Sequence, residues 1–316
     1  MRKKTITKTL LMLGAASLSS TAFAGLSGTI DNTDWSIGGF VELETTVTDT
    51  AVDDNVFDMT ARRTRFDFRT ATDTEDGKIL GRLEFDFAGK TKDKDLVPRI
   101  RHAYMQWNGW TFGQATSSFS NFEAYHKSVD DAMPAPIVGL TSNQLERNPQ
   151  ITYGQSFSSG YSFKLGVEKL DNPLSHESSS DPQFVGHLEY DNKGPFAWSI
   201  SAASYTDTAG ENQWKGLLGA RYTIGKLSLR FANAHDDGID GVTTSGSVRY
   251  NFDKNNWTSI IYEKGDIAGV EKDRGYINYY HQLTKTVQVG FEYAERGINA
   301  DNANNKIYRM DIKKLF

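Results

Sequence analysis

The stretch at residues 307–316, IYRMDIKKLF, alternates apolar and polar side chains at every second position. One face carries the apolar residues Tyr308, Met310, Ile312 and Phe316, with Lys314 among them, and the other face carries Arg309, Asp311 and Lys313. A period of two residues is the pattern of a β-strand. The stretch therefore predicts a strand between an apolar and an aqueous environment, and the rest of the chain decides which environment lies on each side.

Residues 1–24 have the organisation of a secretory signal peptide. They combine a basic start, a short apolar run at residues 10–16 and an A-x-A cleavage site at residues 22–24. The apolar run is far shorter than the ~20 residues of a membrane-spanning helix, which weighs against the alternative of a membrane anchor. We therefore expect an exported protein that is cleaved after Ala24, leaving residues 25–316.

The composition narrows the class of protein. The chain has 35 Lys and Arg against 40 Asp and Glu, and without the four basic residues of the signal peptide the count is 31 against 40. This acidic balance argues against a nucleic-acid-binding protein. The chain has no cysteine, so neither disulfide nor thiolate chemistry is available to it. Residues 25–316 contain no apolar run that approaches eighteen residues, which leaves a membrane β-barrel as the possible membrane fold.

Alternating segments of strand length recur along nearly the whole of residues 35–316, about sixteen in number, one of them predicted at residues 57–70. Very short turns and longer polar loops separate them in turn, which is the layout of an outer-membrane barrel. The alternation is clear at residues 287–293, where Val287, Val289, Phe291 and Tyr293 share one face. It is ambiguous at residues 276–282, where both faces carry aromatic side chains.

Aromatic residues near strand ends fit the two interfaces of a membrane, and we expect such positions for Trp35, Trp107, Trp110, Trp198, Trp214 and Trp257. A soluble β-sandwich would show a similar alternation. Charged residues on the presumed inner face would not fill a sandwich core, whereas a wide barrel holds water there. The sequence therefore predicts an all-β fold, a transmembrane antiparallel β-barrel of about 16 strands, placed in the lipid and lipopolysaccharide of a bacterial outer membrane.

The final strand has a further role in this prediction. In lipid every backbone group must find an internal partner, so the last strand is expected to pair with the first and leave no open edge. An alternating C-terminal strand that ends in Phe316 also resembles the recognition signal of outer-membrane proteins that are handled by the barrel-assembly machinery.

Residues 61–89, ARRTRFDFRTATDTEDGKILGRLEFDFAG, and 99–119, RIRHAYMQWNGWTFGQATSSF, together resemble the DcaP-like family of trimeric Gram-negative outer-membrane porins. The shared features are an Arg-rich strand, a strand of the type G-x-L-x-x-x-x-F/D, an R-x-R-H-A-Y strand and a following GQ turn. The resemblance covers roughly residues 57–120, and only the barrel pattern continues to residue 316. It implies a sixteen-stranded homotrimer that passes small anionic solutes, including dicarboxylates.

The same region contains the candidate pore-lining residues. If Phe66, Phe68, Leu83 and Phe85 face lipid, the alternation directs a basic column into the lumen, formed by Arg63, Arg65, Arg69, Arg82, Arg99 and Arg101. Ile100 and Tyr104 are then expected on the outer face. One interpretation is an electropositive track for anions. The other is a structural ladder of salt bridges with Asp67, Glu84 and Asp86.

The connection at about residues 116–148 is longer than any other, and loops of this length are often functional. It has the ordinal place of the third long loop of general porins, which folds inward, so we expect an inward-folded constriction loop. Its acidic residues Glu123, Asp130, Asp131 and Glu146 would then face the arginine column across an eyelet. Alternatively, these charges are solvated at the surface.

Two other classes of function stay open. A non-conducting outer-membrane barrel for binding or adhesion is compatible with the same pattern. An outer-membrane hydrolase is less well supported, because the six histidines are scattered and the chain has neither G-x-S-x-G nor a His-rich metal spacing. No catalytic residue, no metal and no cofactor is expected, because passive diffusion of solutes requires none.

Overall fold

Antiparallel β-strands make up almost all of the described chain. The computed structural model describes residues 25–49, 56–91, 94–120, 147–171, 178–207, 209–298 and 305–316, so the expected signal peptide lies outside the described residues. Within these ranges the backbone forms eighteen strands and one short 3-10 helix, Asp237–Ile239. The strands are β1 (Leu26–Ile30), β2 (Thr33–Asp49), β3 (Val56–Thr60), β4 (Arg65–Thr74), β5 (Gly77–Thr91), β6 (Lys94–Trp107), β7 (Trp110–Thr116), β8 (Arg147–Ser156), β9 (Tyr161–Asp171), β10 (Ser178–Asp191), β11 (Phe196–Thr206), β12 (Asn212–Ile224), β13 (Leu227–Asp236), β14 (Gly241–Asn251), β15 (Asn256–Ile267), β16 (Val270–Thr284), β17 (Val287–Ile298) and β18 (Asn305–Leu315).

The strands close into a ring. From β4 to β18 each strand pairs antiparallel with the next, and β18 pairs with β2 from Lys306 and Asp49 to Leu315 and Phe40. On its other edge, β2 pairs with β3 along its second half and with β4 along its first half, so β3 and β4 together count as one strand of the ring. Strand β1 pairs with residues 33–37 of β2 on the same edge as β18, and so extends β18 and adds no further strand to the ring. The described strands thus occupy sixteen positions around the ring. The predicted antiparallel β-barrel of about sixteen strands is confirmed. The predicted pairing of the last strand with the first strand of the ring is the pairing of β18 with β2.

The strand predicted at residues 57–70 is interrupted, which corrects the sequence analysis. A turn separates β3 from β4, in which the amide of Thr64 donates to the carbonyl of Ala61 over 3.0 Å. Arg63 lies in this turn instead of within a strand. Its buried guanidinium lies between two carboxylates of β2, with Nη1 2.9 Å from Glu44 and 3.8 Å from Glu42. The turn therefore places Arg63 beside an acidic pair.

The two faces of the barrel wall have opposite chemistry. On the outer face Val248, Ile260 and Ile277 lie side by side on three neighbouring strands, each between 43% and 56% exposed. Among the described residues, 29 buried side chains are polar or charged and 14 are hydrophobic. A soluble sandwich has the reverse arrangement, because its buried face is the apolar one. The apolar face therefore points outward, as expected for a wall in lipid.

Within the described part of the chain, no helix combines the length and the hydrophobicity that a membrane crossing requires.

Five of the six tryptophans predicted at the membrane interfaces face outward, as that prediction requires, and Trp257 does not. Trp35, Trp107, Trp110, Trp198 and Trp214 lie on the outer face of their strands. Trp257 instead pairs with the buried, inward-facing Tyr280, and the two rings stack with their centroids 5.0 Å apart. The inner face of β15 and β16 therefore carries an aromatic pair that a lipid interface does not explain.

Short turns occupy one rim of the barrel, as predicted. At Asn108 and Gly109 the φ angles are 47° and 87°, which is the left-handed backbone of a two-residue hairpin turn. In the turn at residues 252–255 the carboxylate of Asp253 accepts the amide of Asn255 over 2.7 Å. This hydrogen bond, together with one from the side chain of Asn256, holds the pKa of Asp253 below its usual value. Most connections on the opposite rim are longer, although only two residues separate β5 from β6 and β15 from β16.

The seam between β18 and β2 ends at Gly39 and Phe316. These two residues exchange both backbone hydrogen bonds, each 3.1 Å long. The ring of Phe316 lies over Gly39 and meets the ring of Phe66 edge-on, with 5.6 Å between centroids. A Cβ atom at Gly39 would lie 2.0 Å from the carbonyl oxygen of Arg65. Glycine is therefore required where the barrel closes.

We expect Gly39→Ala to destabilise the folded barrel by about 1–3 kcal/mol, because the added methyl group would clash with the carbonyl oxygen of Arg65 on β4, beside the seam. The fraction of protein that keeps the compact, heat-modifiable mobility on gels after refolding measures this loss. Gly275→Ala is the matched control, since it also lies on the outer face and its Cβ meets nothing within 4 Å. Equal refolding of the two variants would contradict the close approach of Gly39 to the backbone of Arg65.

Candidate functional site: an arginine cluster on the inner wall

Five of the six predicted arginines come together on three neighbouring strands. Arg65 and Arg69 lie on β4, Arg82 lies on β5, and Arg99 and Arg101 lie on β6. The register places these strands side by side, with Arg69 directly opposite Arg82. The outer-face partners are those predicted from the alternation, namely Phe66, Phe68 and Leu83, each 37% to 43% exposed. The sixth predicted residue, Arg63, lies apart with Glu42 and Glu44.

Three buried carboxylates hold the guanidinium groups in place. Asp67 accepts two hydrogen bonds from Arg82, of 2.9 and 3.0 Å, and Asp86 accepts two from Arg99, of 3.0 and 2.7 Å. Arg101 bridges the remaining space, donating 2.7 Å bonds to Glu84 Oε1 and to Asp86 Oδ2. Paired donors of this kind fix the orientation of a guanidinium as well as its position.

The arginines at the edge of the cluster are more open. Arg69 donates to Asp67, yet its side chain is 36% exposed, and that of Arg99 is 43% exposed. The side chain of Arg101, by contrast, is 8% exposed. The buried members therefore act as supports, while Arg69 and Arg99 present their guanidinium groups to the lumen.

A β-bulge in β6 explains why consecutive residues turn inward there. Glu84 pairs with His102 and the next residue of β5, Phe85, pairs with Ile100, so Arg101 is the extra residue. Arg101 and His102 are both buried on the inner side, at 7% and 8% exposure. The bulge shifts the alternation by one residue.

The bulge also corrects the prediction for Tyr104. Ile100 faces outward as expected, but Tyr104 pairs with the inward-facing Arg82, and its ring lies 5.7 Å from the ring of His102. Strict alternation from Ile100 predicts the outer face for Tyr104. The extra residue at Arg101 reverses that assignment, so Tyr104 faces the lumen.

Arg147, at the start of β8, is a further member that the sequence analysis missed. It is within electrostatic range of Arg65, Arg99 and Arg101 and of the carboxylate of Glu84. We call the six residues the central arginine cluster: Arg65, Arg69, Arg82, Arg99, Arg101 and Arg147. Because residue 147 falls within the connection predicted at about residues 116–148, no strand alternation could have assigned its direction.

The central arginine cluster has an excess of positive charge. Among the described residues, its six guanidinium groups contact or approach the carboxylates of Asp67, Glu84 and Asp86, and these nine groups together carry a formal excess of three positive charges. The salt bridges expected for a structural ladder are therefore present, and so is the positive charge expected for a track that attracts anions. The repulsion energy between neighbouring guanidinium groups is several times larger at a partly desolvated wall than in bulk water. A nearby anion reduces this repulsion, so the excess of positive charge favours anions at the wall.

The first residues of the long connection lie inside the barrel. Ser117, Ser118 and Ser120 are buried, and the amide of Ser118 donates a 2.6 Å hydrogen bond to Glu168 on β9. The same carboxylate accepts the side-chain amide of Asn148, at the other end of the connection, over 3.2 Å. Glu168 therefore ties both described ends of the connection to the inner wall.

Phe119 extends this attachment along the inner wall. Its ring is 4% exposed and packs on an apolar patch of β10 to β13, formed by Val185, Ala203, Leu217, Ala232 and Ala234. The ammonium group of Lys215 lies 4.9 Å from the ring centroid, in the range of a cation–π contact. One of the apolar patches on the inner wall is thus covered by an aromatic side chain from the connection.

The four predicted acidic residues of the constriction loop, Glu123, Asp130, Asp131 and Glu146, lie outside the described residues. In the part of the chain that is described, no group of three or more His, Asp and Glu side chains has the arrangement of a metal site.

Part of the chain is similar to a known family of outer-membrane proteins. Residues 22–171, which include β1 to β9 and every member of the central arginine cluster, match the family model of the DcaP outer membrane protein. The resemblance to the DcaP family is confirmed. None of the curated protein sequences compared with this DcaP-like chain is significantly similar to it.

Three solved structures show the fold of the DcaP-like chain. The outer membrane channel DcaP of Acinetobacter baumannii is similar with a TM-score of 0.78 at 20% identity, over 92% of this chain and 100% of that chain. An anion-selective porin from Comamonas acidovorans has a TM-score of 0.67 at 16% identity, over 90% and 100%. A trimer form of OmpT from Vibrio cholerae has a TM-score of 0.64 at 13% identity, over 90% and 100%. At these identities the likeness establishes the fold, and with the family match it is that of an outer-membrane porin.

Proposed function

We propose that this DcaP-like barrel is a diffusion porin of the bacterial outer membrane that passes small hydrophilic anions. Dicarboxylates are the expected solutes, because a second carboxylate can engage a second guanidinium of the central arginine cluster. The observation that carries the proposal is the formal excess of three positive charges among Arg65, Arg69, Arg82, Arg99, Arg101 and Arg147 on the inner wall. The anion selectivity of the Comamonas acidovorans porin and the DcaP family match agree with it.

The mechanism is passive and needs neither a cofactor nor a source of energy. Anions that enter the lumen meet Arg69 and Arg99, whose side chains are the more exposed members of the cluster. Attraction concentrates anions at this wall, and its division among several guanidinium groups lets each anion leave. The carboxylates of Asp67, Glu84 and Asp86 hold the cationic groups apart and prevent the positive potential from trapping the solute.

Replacing Arg65, Arg82 and Arg101 together with glutamine is expected to abolish anion preference. The substitution leaves three guanidinium groups against three carboxylates, so the formal excess of charge at the wall becomes zero. The reversal potential of the purified protein in planar bilayers under a KCl gradient measures the preference, and we expect it to move close to zero.

Two further variants make this experiment specific. Glu84→Gln removes one carboxylate of the cluster and is expected to increase the anion preference. The triple control Lys226→Gln, Lys254→Gln and Lys285→Gln removes the same number of positive charges from exposed turns of the short-turn rim and is expected to leave it unchanged. An unaltered reversal potential in the arginine variant would contradict the proposed attraction of anions by the central arginine cluster. Absence of any conductance in the folded wild-type protein would favour the adhesion class instead.

We also propose that the connection at about residues 116–148 narrows the lumen, with Glu123, Asp130, Asp131 and Glu146 opposite the central arginine cluster. The support comes from the two described ends of the connection. Glu168 binds both ends, and Phe119 lies on β10 to β13, on the side of the ring that faces away from β4 to β6. The chain thus starts its course along the wall opposite the central arginine cluster.

Phe119→Ala is expected to increase the single-channel conductance and its fluctuations. The change removes a buried aromatic ring, whose loss costs about 3–5 kcal/mol in a protein core, and so releases the connection from the wall. Single-channel recording measures the effect directly. Phe231→Ala is the matched control, because Phe231 lies on β13 with its ring on the outer face. Identical currents from both variants would remove the support for an inward constriction.

We further propose that the mature protein, after cleavage behind Ala24, forms a homotrimer in the outer membrane. The support is the resemblance to trimeric porins, including the trimer form of OmpT from Vibrio cholerae. The molar mass of the detergent-solubilised protein, measured by sedimentation, is expected to equal three chains. A mass of one chain would contradict the proposal.

A further inference from the structure

The β-bulge at Arg101 brings Tyr104 into the lumen, next to the central arginine cluster. Strict alternation from Ile100 would leave the ring of Tyr104 on the lipid side, but the extra residue reverses its direction. Tyr104 pairs with Arg82 on β5, and Arg82 pairs with Arg69 on β4. The three side chains therefore lie in one row across three strands, with about 5 Å between neighbouring strands. Bulges often redirect a side chain at a functional site, so this row calls for a functional explanation.

The ring of Tyr104 has one neighbour that orients it and one side without a neighbouring side chain. His102, which the same bulge turns inward, meets the ring edge-on, with 5.7 Å between centroids and 89° between the planes. On β7 the partner of Tyr104 is Gly113, which has a φ angle of 116° and carries no side chain. Tyr104 is partly exposed, whereas His102 is buried. The ring is therefore held in place and still accessible from the lumen.

The hydroxyl group of Tyr104 adds a hydrogen-bond acceptor to a wall of donors. Within the described part of the chain this hydroxyl takes part in no hydrogen bond. A phenol both donates and accepts, whereas a guanidinium group only donates. The carboxylates of Asp67, Glu84 and Asp86 also accept, but each already receives hydrogen bonds from two arginines of the cluster. Tyr104 thus offers the solute a contact that the arginines cannot provide.

An acceptor beside the arginines matters for a solute that carries a hydroxyl group of its own. Such a hydroxyl loses hydrogen bonds to water at the wall, and it needs an acceptor there to replace the one that it donates. Malate and succinate carry the same charge at about pH 8, and malate differs by one hydroxyl group next to a carboxylate. Arginines alone attract the two anions through the same charges. With the carboxylate at Arg69 or Arg82, the adjacent hydroxyl is near the next side chain of the row, Tyr104.

We propose that Tyr104 makes the central arginine cluster favour 2-hydroxydicarboxylates over dicarboxylates that lack a hydroxyl group. A carboxylate of the solute binds Arg69 and Arg82, and the adjacent hydroxyl donates a hydrogen bond to the phenolic oxygen of Tyr104. The inference rests on the proposed function, because the solute must first be drawn to the wall as an anion. It adds to that function the part of the solute that the wall recognises besides charge.

The test uses malate and succinate as probes and measures the concentration of each that halves the ionic current of the folded, full-length protein in planar bilayers at about pH 8. We expect malate to block the wild-type protein at a concentration about threefold to tenfold lower than succinate, the gain from one hydrogen bond. Tyr104→Phe keeps the ring against His102 and removes only the oxygen atom. This variant is expected to lose the preference for malate and to be blocked by both anions at similar concentrations.

Two controls show that the effect belongs to the phenolic oxygen. Tyr222→Phe removes the same atom from the outer face of β12 and is expected to keep the preference for malate. The reversal potential of Tyr104→Phe in a KCl gradient is expected to equal that of the wild-type protein, because the change removes no charge. Heat-modifiable mobility on gels selects the folded variants for these measurements.

The possible failures have different meanings. Equal block of the wild-type protein by malate and succinate, or a preference for malate that Tyr104→Phe leaves unchanged, overturns the role of Tyr104. A shift of the reversal potential in Tyr104→Phe overturns it as well, because the residue would then act on the structure of the arginine cluster. A wild-type protein without anion preference overturns the proposed function instead.

Discussion

The hydrocarbon core of a membrane offers no hydrogen-bond partner to the backbone, and this structure follows from that constraint. A strand edge exposed to hydrocarbon would leave its amide and carbonyl groups unpaired, so the sheet must close on itself. The exchange of hydrogen bonds between Gly39 and Phe316 completes that closure at one end of the seam. Closure then separates two environments, and the period of two along each strand distributes side chains between them. A wall that is apolar outside and polar inside is the consequence, with Val248 and Ile260 on one face and Ser245 and Ser259 on the other.

The wet interior permits charge densities that a protein core would exclude. Arg101 and Asp86 are nearly inaccessible, yet each contacts more than one partner of opposite charge. In such a network the carboxylates limit the motion of the guanidinium groups, and the exposed members Arg69 and Arg99 define the surface that solutes meet. Structural ion pairing and an electropositive surface are therefore properties of one arrangement. The excess of guanidinium groups over carboxylates, and not the absence of pairing, gives the wall its sign.

The fold and most of the arginine column could be predicted because alternation is a local property that each strand repeats. The prediction was wrong where the local period changes or where both faces look alike. The bulge at Arg101 reverses the direction of Tyr104, and the turn before β4 removes Arg63 from its column. The aromatic pair of Trp257 and Tyr280 lies inward, although its residue types equally suit an interface. Arg147 and Phe119 lie within the predicted connection of about residues 116–148, which has no periodicity, so their directions depend on tertiary contacts.

The inner wall of β12 and β13 has an apolar part and a charged part. Toward the long loops, Leu217 and Ala234 pair across the two strands and are covered by Phe119. Four residues further along the same strands, toward the short turns, Arg221 pairs with Arg230. Phe119 therefore packs where the inner wall is apolar, and the apolar residues that receive its ring lie on β10 to β13, on the side of the ring away from β4 to β6. The position at which the connection starts thus follows from the side chains of the wall, because an aromatic ring gains more from an apolar surface than from a charged one.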